Sequence, residues 1–391
     1  MNGLSVDGVT IKPTETHLYS GSDTIRPGYA MCFDLSQSSA NNREKYVTKP
    51  SWSNLIAKNG FAGIVQSVGT LTAAGRQINL IPFDGRRYNN VNVFTDENVA
   101  AGDLLGPIPD SYYFGRAVCG NAVFEAWAAS DRSATAGLAN GRFGPVDPAI
   151  VAAKTYRIFH DFDGTAPIFL GGATPAEFAL PGLMVSGTSV GAQYTADAGG
   201  RLALTPNTTN IAQLNVGGIA AGTASTPSLL PITLSAGISC FFRARVNFGV
   251  GAVDNDVFCG LAIAGACVTD GTVPALDDYL GFYMQGDSSA LINIATNRDN
   301  GTDNVTSTGT TQVADAVHDL AFLVRNRVSG DAAGATVIQV YVDGALTNTL
   351  SSAAVNALIN KDEAMGPVFA GIGGASAVVI EIDRLEVVAN R

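Results

Sequence analysis

The sequence is poor in charge. Only 15% of its 391 residues are Asp, Glu, Lys or Arg, against about 25% in an average soluble domain. That excludes a long charged disordered tail and a charged coiled coil. There are three histidines, His17, His160 and His318, none at HExxH or HxH spacing, so no zinc pattern is present. The five cysteines, Cys32, Cys119, Cys240, Cys259 and Cys267, form no CxxC pair, and each sits among apolar neighbours. They read as small buried hydrophobes of a chain made in a reducing compartment, not as a disulfide framework. No stretch reaches the roughly 18 continuous apolar residues of a membrane span. The first residues lack the basic start and apolar core of a secretion signal, so a soluble, unexported chain is expected. Neither a P-loop nor a dinucleotide-binding glycine pattern occurs.

What is present is hydrophobicity, glycine and an uneven charge. Apolar residues make up 46%, and there are 44 Gly and 16 Pro, a turn-rich composition far from collagen. The net charge is −11, which argues against broad attraction to nucleic acid or anionic lipid. Residues 1–150 hold 12 basic and 13 acidic side chains, whereas 151–391 hold 11 and 21. A nearly neutral part suits docking, and an acidic part suits a solvated outer surface.

Helical periodicity is scarce. Runs of four to eight β-branched, aromatic and small residues alternate with Gly, Asn, Asp and Pro, so the chain is expected to be all-β. In the first part strands are expected near 28–34, 62–67, 77–82, 92–94, 114–119 and 123–128. Val99-Ala-Ala-Gly-Asp103-Leu-Leu-Gly106 is a small-residue turn followed by an apolar step, a feature that returns a chain into a small barrel. Residues 128–148 are Ala, Ser, Gly and Asn-rich with few large apolar side chains. The boundary is placed near residue 155, dividing the chain into 1–155 and 156–391. In the second part Phe242, Ala244, Val246 and Phe248 alternate with Phe241, Arg243, Arg245 and Asn247. Val342-Asp343-Gly344-Ala345 reads as a hairpin turn. Turn signals every 8–15 residues indicate one large antiparallel sandwich. Residues 352–358 read as a single helical turn, and no repeat of solenoid type is seen.

Several segments carry a resemblance. In order they are Gly199-Gly-Arg-Leu-Ala-Leu204, Phe242-Arg-Ala-Arg-Val-Asn-Phe248, Tyr279-Leu-Gly-Phe-Tyr283, Val340-Tyr-Val-Asp-Gly344 and Ile380-Glu-Ile-Asp-Arg-Leu-Glu-Val387. Over roughly residues 160–391 the chain resembles the concanavalin A-like jelly roll of lectins, glucanases and laminin-G domains, a fold that hosts binding, catalytic and structural proteins alike. The segments Gly60–Val65, Val99–Gly106 and Tyr112–Val118 make the first part similar to the β-barrel, or β-tulip, domain of tailed-bacteriophage capsid cement proteins. Together the resemblances imply a decoration protein on the outer surface of a virion, made in the host cytoplasm. Its partners would be the major capsid protein and further copies of itself, as a homotrimer, with no nucleic acid or membrane partner. The alternative is a carbohydrate- or receptor-binding head or tail fibre protein, with a host-surface glycan as ligand.

Candidate chemistry follows from the same segments. Aromatic and Arg side chains are enriched at interfaces, which makes Trp52, Tyr112, Tyr113, Phe114 and Arg116 the candidate capsid-facing residues, with barrel core as their other reading. Glu381-Ile-Asp383-Arg-Leu-Glu386 matches the E-x-D-x-x-E pattern of laminarinase-like glycosidases, which resemblance would make Glu381 a nucleophile and Glu386 a general acid/base. On a regular strand Glu386 points away from the other two, and only a bulge near Arg384-Leu385 brings all three together. The motif lies within the last eleven residues, and both tryptophans, Trp52 and Trp127, lie in the first part, so no catalytic residue is assigned and no enzyme is expected. Asp254-Asn-Asp256, Asp270, Asp277-Asp278 and the run Asn297–Asn304 offer oxygen atoms for calcium. They are also ordinary turn residues, and no cofactor is assigned.

Overall fold

The computed structural model describes residues 5–6, 9–10, 14–19, 21–72, 75–117, 122–127, 137–161, 176–177, 183–186, 191–194, 201–205, 211–216, 232–235, 237–249, 256–263, 278–285, 290–298, 302–313, 315–326, 336–352, 358–359, 363–372 and 379–390. The chain forms two compact units, Met1–Thr155 and Tyr156–Ser329 with Gly334–Ala389.

The first unit opens with a short ladder of β1 (Ser5–Val6) and β2 (Val9–Thr10). It then builds two closed barrels where the sequence suggested one. The first barrel uses β3 (Glu15–Tyr19), β4 (Ala30–Phe33), β5 (Tyr46–Thr48), β6 (Phe61–Thr72) and β7 (Gly75–Pro82). The second uses β8 (Tyr88–Thr95), β9 (Leu104–Pro107), β10 (Phe114–Arg116), β11 (Phe124–Ala126) and β12 (Gly137–Phe143). Numbered by rank within each barrel, both circuits run 1-5-4-2-3 and close back on 1, and in both the pair 1–3 is parallel while the other four are antiparallel. Closure removes exposed sheet edges.

The repeat extends to the turn before the second strand. Gly28 (φ 93°) precedes β4 by two residues, and Gly102 (φ 87°) precedes β9 by two. Both turns need the left-handed backbone that glycine adopts without a Cβ penalty. Gly28 N–H donates to Val65 O at 2.7 Å and Gly102 N–H to Ala126 O at 2.7 Å. Val65 N–H donates to Tyr29 O and Ala126 N–H to Asp103 O, each at 2.9 Å. In the sequence this device stands out as a pattern only at Val99–Gly106.

Apolar side chains fill both barrels. Tyr19, Met31, Ile78 and Leu80 pack in the first. Phe114, Phe124 and Phe143 share a cluster with Ala30, Cys32, Ile64 and Ile81, so one core runs from the second barrel onto the first. Two short elements intervene, α1 (Ala40–Lys45) and a π-helical turn, Trp52–Ala57, each capped by a serine oxygen that accepts an N–H, Ser39 from Asn42 and Ser51 from Asn54. A further helix, α2 (Pro148–Lys154), starts from the Asp147 cap.

The second unit is an antiparallel two-sheet sandwich. Its strands are β13 (Thr155–Asp161), β14 (Ala176–Glu177), β15 (Leu183–Ser186), β16 (Gly191–Tyr194), β17 (Leu202–Thr205), β18 (Ile211–Val216), β19 (Ile232–Thr233), β20 (Ser239–Asn247), β21 (Asp256–Ala262), β22 (Tyr279–Gln285), β23 (Leu291–Asn297), β24 (Asn304–Thr311), β25 (His318–Asn326), β26 (Thr336–Val342), β27 (Ala345–Ser352), β28 (Ala364–Ile372) and β29 (Ile380–Asn390). One sheet runs β16-β17-β29-β20-β25-β26-β27 with β13 also on β29; the other runs β14-β15-β18-β28-β21-β22-β23-β24 with β19 on β28. Phe242, Ala244, Val246 and Phe248 lie in the shared core as their alternation predicts. Phe242 stacks on Phe322 at 4.8 Å. The last strand in sequence is central in space, between β17 and β20. Of the residues read as a helical turn, Ser352 ends β27, and 353–357 lie outside the described residues.

Candidate functional site

The structure divides the five aromatic and arginine candidates of the first unit. Trp52 and Phe114 are 2% and 0% exposed, so they are interior residues and present no ring to a partner. Arg116 is also turned inward. Its Nη1 pairs with Glu97 Oε2 at 2.9 Å and its Nη2 donates to Asn98 O at 3.0 Å, while its backbone N–H donates to Glu97 Oε1. The Glu97 side chain is almost fully buried, so the pair is a structural clasp. All three lie in the interior of the first unit, as the barrel-core reading has it.

Tyr112 and Tyr113 stay at the half-buried seam between the barrels. The Tyr112 hydroxyl donates to Asp23 Oδ2 and lies 2.7 Å from the Tyr19 hydroxyl. Its ring stacks on Tyr29 at 5.1 Å, and Tyr113 meets Tyr29 edge-on at 5.7 Å. Burial, then the Asp23 carboxylate, hold the Tyr112 phenol above its usual pKa. This cluster ties the loop before β10 to the first barrel, as does Ala30 N–H donating to Tyr112 O at 2.9 Å.

Beside the seam, the two barrels leave a cleft of about 440 Å³. Arg26, Pro27, Gly28, Val65 and Ile81 line it from the first barrel and Asn90, Val91, Phe94 and Leu138 from the second. Leu138 is 51% exposed at its wall. No motif marks this cleft. Its signal in sequence is an apolar residue, Leu138, inside a segment that otherwise reads as linker.

In the sandwich the acidic motif meets the condition set by its spacing. Arg245 opposes Arg384 and Val246 opposes Ile382, so Asp383 is the extra residue of a bulge. Ile380, Ile382, Leu385 and Val387 enter the core, and Glu381, Asp383 and Glu386 are left outside it. Each is bound by an arginine: Glu381 by Arg201 at 2.7 Å, Asp383 by Arg245 at 2.8 Å and Glu386 by Arg157 at 2.8 Å. Phe159 is 44% exposed, with Arg157 and Arg384 each 5.5 Å from its ring centroid. The row is thus a charge-paired surface with one aromatic, not a set of free carboxylates.

Other candidates resolve locally. Cys32, Cys240 and Cys259 are buried, and burial pushes the Cys32 and Cys259 thiols up. Cys119 and Cys267 lie outside the described residues. His318 Nδ1 lies 2.8 Å from Asp343 Oδ2, and Asp319 N–H donates to Asp343 Oδ1 at 2.9 Å, which locks the predicted hairpin. Of the calcium candidates, Asp254, Asp270 and Asp277 lie outside the described residues. Asp303 accepts from Tyr279 Oη at 2.6 Å and Asn297 Nδ2 at 2.5 Å. Among the described residues, no group of three or more His, Cys, Asp or Glu is placed to hold a metal. Gly187-Thr-Ser189-Val-Gly191 has G-x-S-x-G spacing. Gly191 opens strand β16 rather than a helix, so the strand–turn–helix context of a nucleophile elbow is missing. Ser189 lies outside the described residues.

No family model matches the chain, and no curated protein matches its sequence. Solved structures similar to it include the Emp46p carbohydrate recognition domain in its metal-free form, at 11% identity over 53% of this chain and 87% of that one, TM-score 0.34. A protein of unknown function from Shewanella oneidensis MR-1 is similar at 10% identity over 63% and 95%, TM-score 0.37. A Bacteroides ovatus mixed linkage glucan GH16 protein, in complex with a product, is similar at 11% identity over 60% and 94%, TM-score 0.33.

Proposed function

We propose that the chain is a non-catalytic attachment protein that decorates a phage-type capsid, docking through its double-barrel unit. The observation that carries the docking reading is the open, largely apolar cleft between the barrels, on the part of the chain with 12 basic and 13 acidic residues in 1–150. A partner side chain seated there buries apolar area against Phe94 and Leu138 without facing a strong net field. The choice of a major capsid protein as partner rests on the cement-protein resemblance. Three arginines on the three motif carboxylates support the non-catalytic part, because a retaining glycosidase needs one carboxylate free to attack and another free to carry a proton.

The test is cosedimentation of the full chain with empty phage heads lacking their decoration protein. Leu138→Glu is expected to weaken binding by roughly tenfold or more, since it sets a charge in the cleft. Phe159→Ala, on the sandwich, is expected to leave it unchanged. Saturable binding on a glycan array, lost in Phe159→Ala and kept in Leu138→Glu, would replace this reading with the glycan-binding one, which the exposed Phe159 between two arginines favours.

A further inference from the structure

Both barrels close on themselves, whereas among the described residues the two sheets of the sandwich end in unpaired strands. Each of its sheets ends, on one side, in an eight-residue strand: β24 (Asn304–Thr311) in one and β27 (Ala345–Ser352) in the other. These two edges lie at the same end of the sandwich, joined by Asn348 Nδ2 donating to Ser307 O at 3.1 Å. Of the strands at the opposite ends of the sheets, the described residues are two in β14 and four in β16.

Edge strands are normally guarded by lysine, proline, brevity or a bulge. Of these, β24 and β27 have only the bulge. Their sequences, Asn-Val-Thr-Ser-Thr-Gly-Thr-Thr and Ala-Leu-Thr-Asn-Thr-Leu-Ser-Ser, contain no charged residue and no proline. Both have one bulge, yet Asn304–Ser307 and Asn348–Ser352 remain in regular register with their inner neighbours. Val305, Leu346 and, just beyond β24, Val313 are 45%, 41% and 60% exposed.

We infer that the β24/β27 end is where copies of this chain meet, by antiparallel addition of edge strand to edge strand. The occupant follows from charge. Residues 151–391 carry 11 basic against 21 acidic side chains, so two such units repel over most of their surface. Here they oppose no charge to one another, and hydroxyl-bearing strands pair favourably with their like. This surface is separate from the cleft, and its test uses no capsid, so either proposal can fail alone.

The experiment is sedimentation velocity of the full chain over a wide concentration range. The unaltered chain is expected to associate. Leu346→Lys and Thr349→Lys, both at exposed edge positions, are expected to weaken association by roughly tenfold or more, with circular dichroism unchanged. Val379→Lys, exposed elsewhere on the sandwich, is expected to associate as the unaltered chain does. Oxidative cross-linking of Thr349→Cys into covalent dimers supports the same contact. A chain that stays monomeric throughout, or association that both edge lysines leave intact, overturns the inference.

Discussion

The two barrels of the first unit follow the same strand circuit with different side chains. The first holds Tyr, Met, Ile and Leu around Tyr19, Met31 and Leu80, the second three phenylalanines. They share the glycine turn before the second strand and its pair of backbone hydrogen bonds to the fourth. Backbone conformation at one position therefore repeats more faithfully than the core composition. The barrels differ in how polar groups are settled at the third strand. Arg116 at the end of β10 clasps Glu97, whereas no ion pair of the described residues involves β5.

That clasp gives the largest expected effect. Arg116→Ala leaves Glu97, whose side chain is 1% exposed, without its cation, at a cost of about 3–5 kcal/mol. The sandwich supplies the contrast. Arg245, whose side chain is 55% exposed, pairs with Asp383 at a similar distance, and Arg245→Ala is expected to cost under about 1 kcal/mol. Urea unfolding of both variants measures the difference. Equal losses would show that burial does not set the worth of these pairs.

The glycine turns come next. Alanine at either position is forced into the left-handed region, at about 1–2 kcal/mol. At Gly102 the added Cβ would meet only the Lys154 amine, at 3.3 Å, the far end of a flexible side chain. At Gly28 it would meet the Phe94 ring at 3.1 Å and the Phe94 backbone nitrogen at 3.3 Å, where the second barrel packs. Gly28→Ala is therefore expected to lose about 2–4 kcal/mol, strain plus overpacking, and Gly102→Ala about half of that. If Gly102→Ala proves the more damaging in thermal unfolding, the turns are not equivalent devices.

Local pattern explains what the sequence revealed. Alternation on β20 and the Asp-Gly turn at Asp343-Gly344 were readable because each is decided by neighbours within a few residues. The second barrel was not, because β12 reads Gly-Leu-Ala-Asn-Gly-Arg-Phe, a poor strand by propensity. Its composition is set by closure: a Cβ at Gly141 would run into the Glu125 carbonyl and lie 2.8 Å from the Phe124 ring. Equally, Phe114 and Arg116 look like interface residues by type, and their place on β10 of a closed circuit turns them inward. The acidic motif was legible up to a condition, the bulge. Its arginine partners on β13, β17's flank and β20 are 229, 180 and 138 positions away for Glu386, Glu381 and Asp383 in turn, beyond any local pattern.

The smallest expected effect separates the barrels by pH. The second strand of the first barrel is followed by Asp34, that of the second by Ile108. Burial works to raise the Asp34 pKa, but hydrogen bonds from the Ser36 hydroxyl, the Gln37 amide and the Ser36 N–H outweigh it, so the net shift is downward. A carboxyl whose folded pKa is depressed stabilises the fold fully above its unfolded value, about 3.9, and loses that contribution as pH falls through the folded value. Asp34→Asn is therefore expected to be less stable than the parent near neutrality, with the gap closing below about pH 4. The check is urea unfolding of parent and variant across the acid range. A gap that stays constant would assign the role of Asp34 to its hydrogen-bond geometry rather than its charge, and would remove this polar difference between the two barrels.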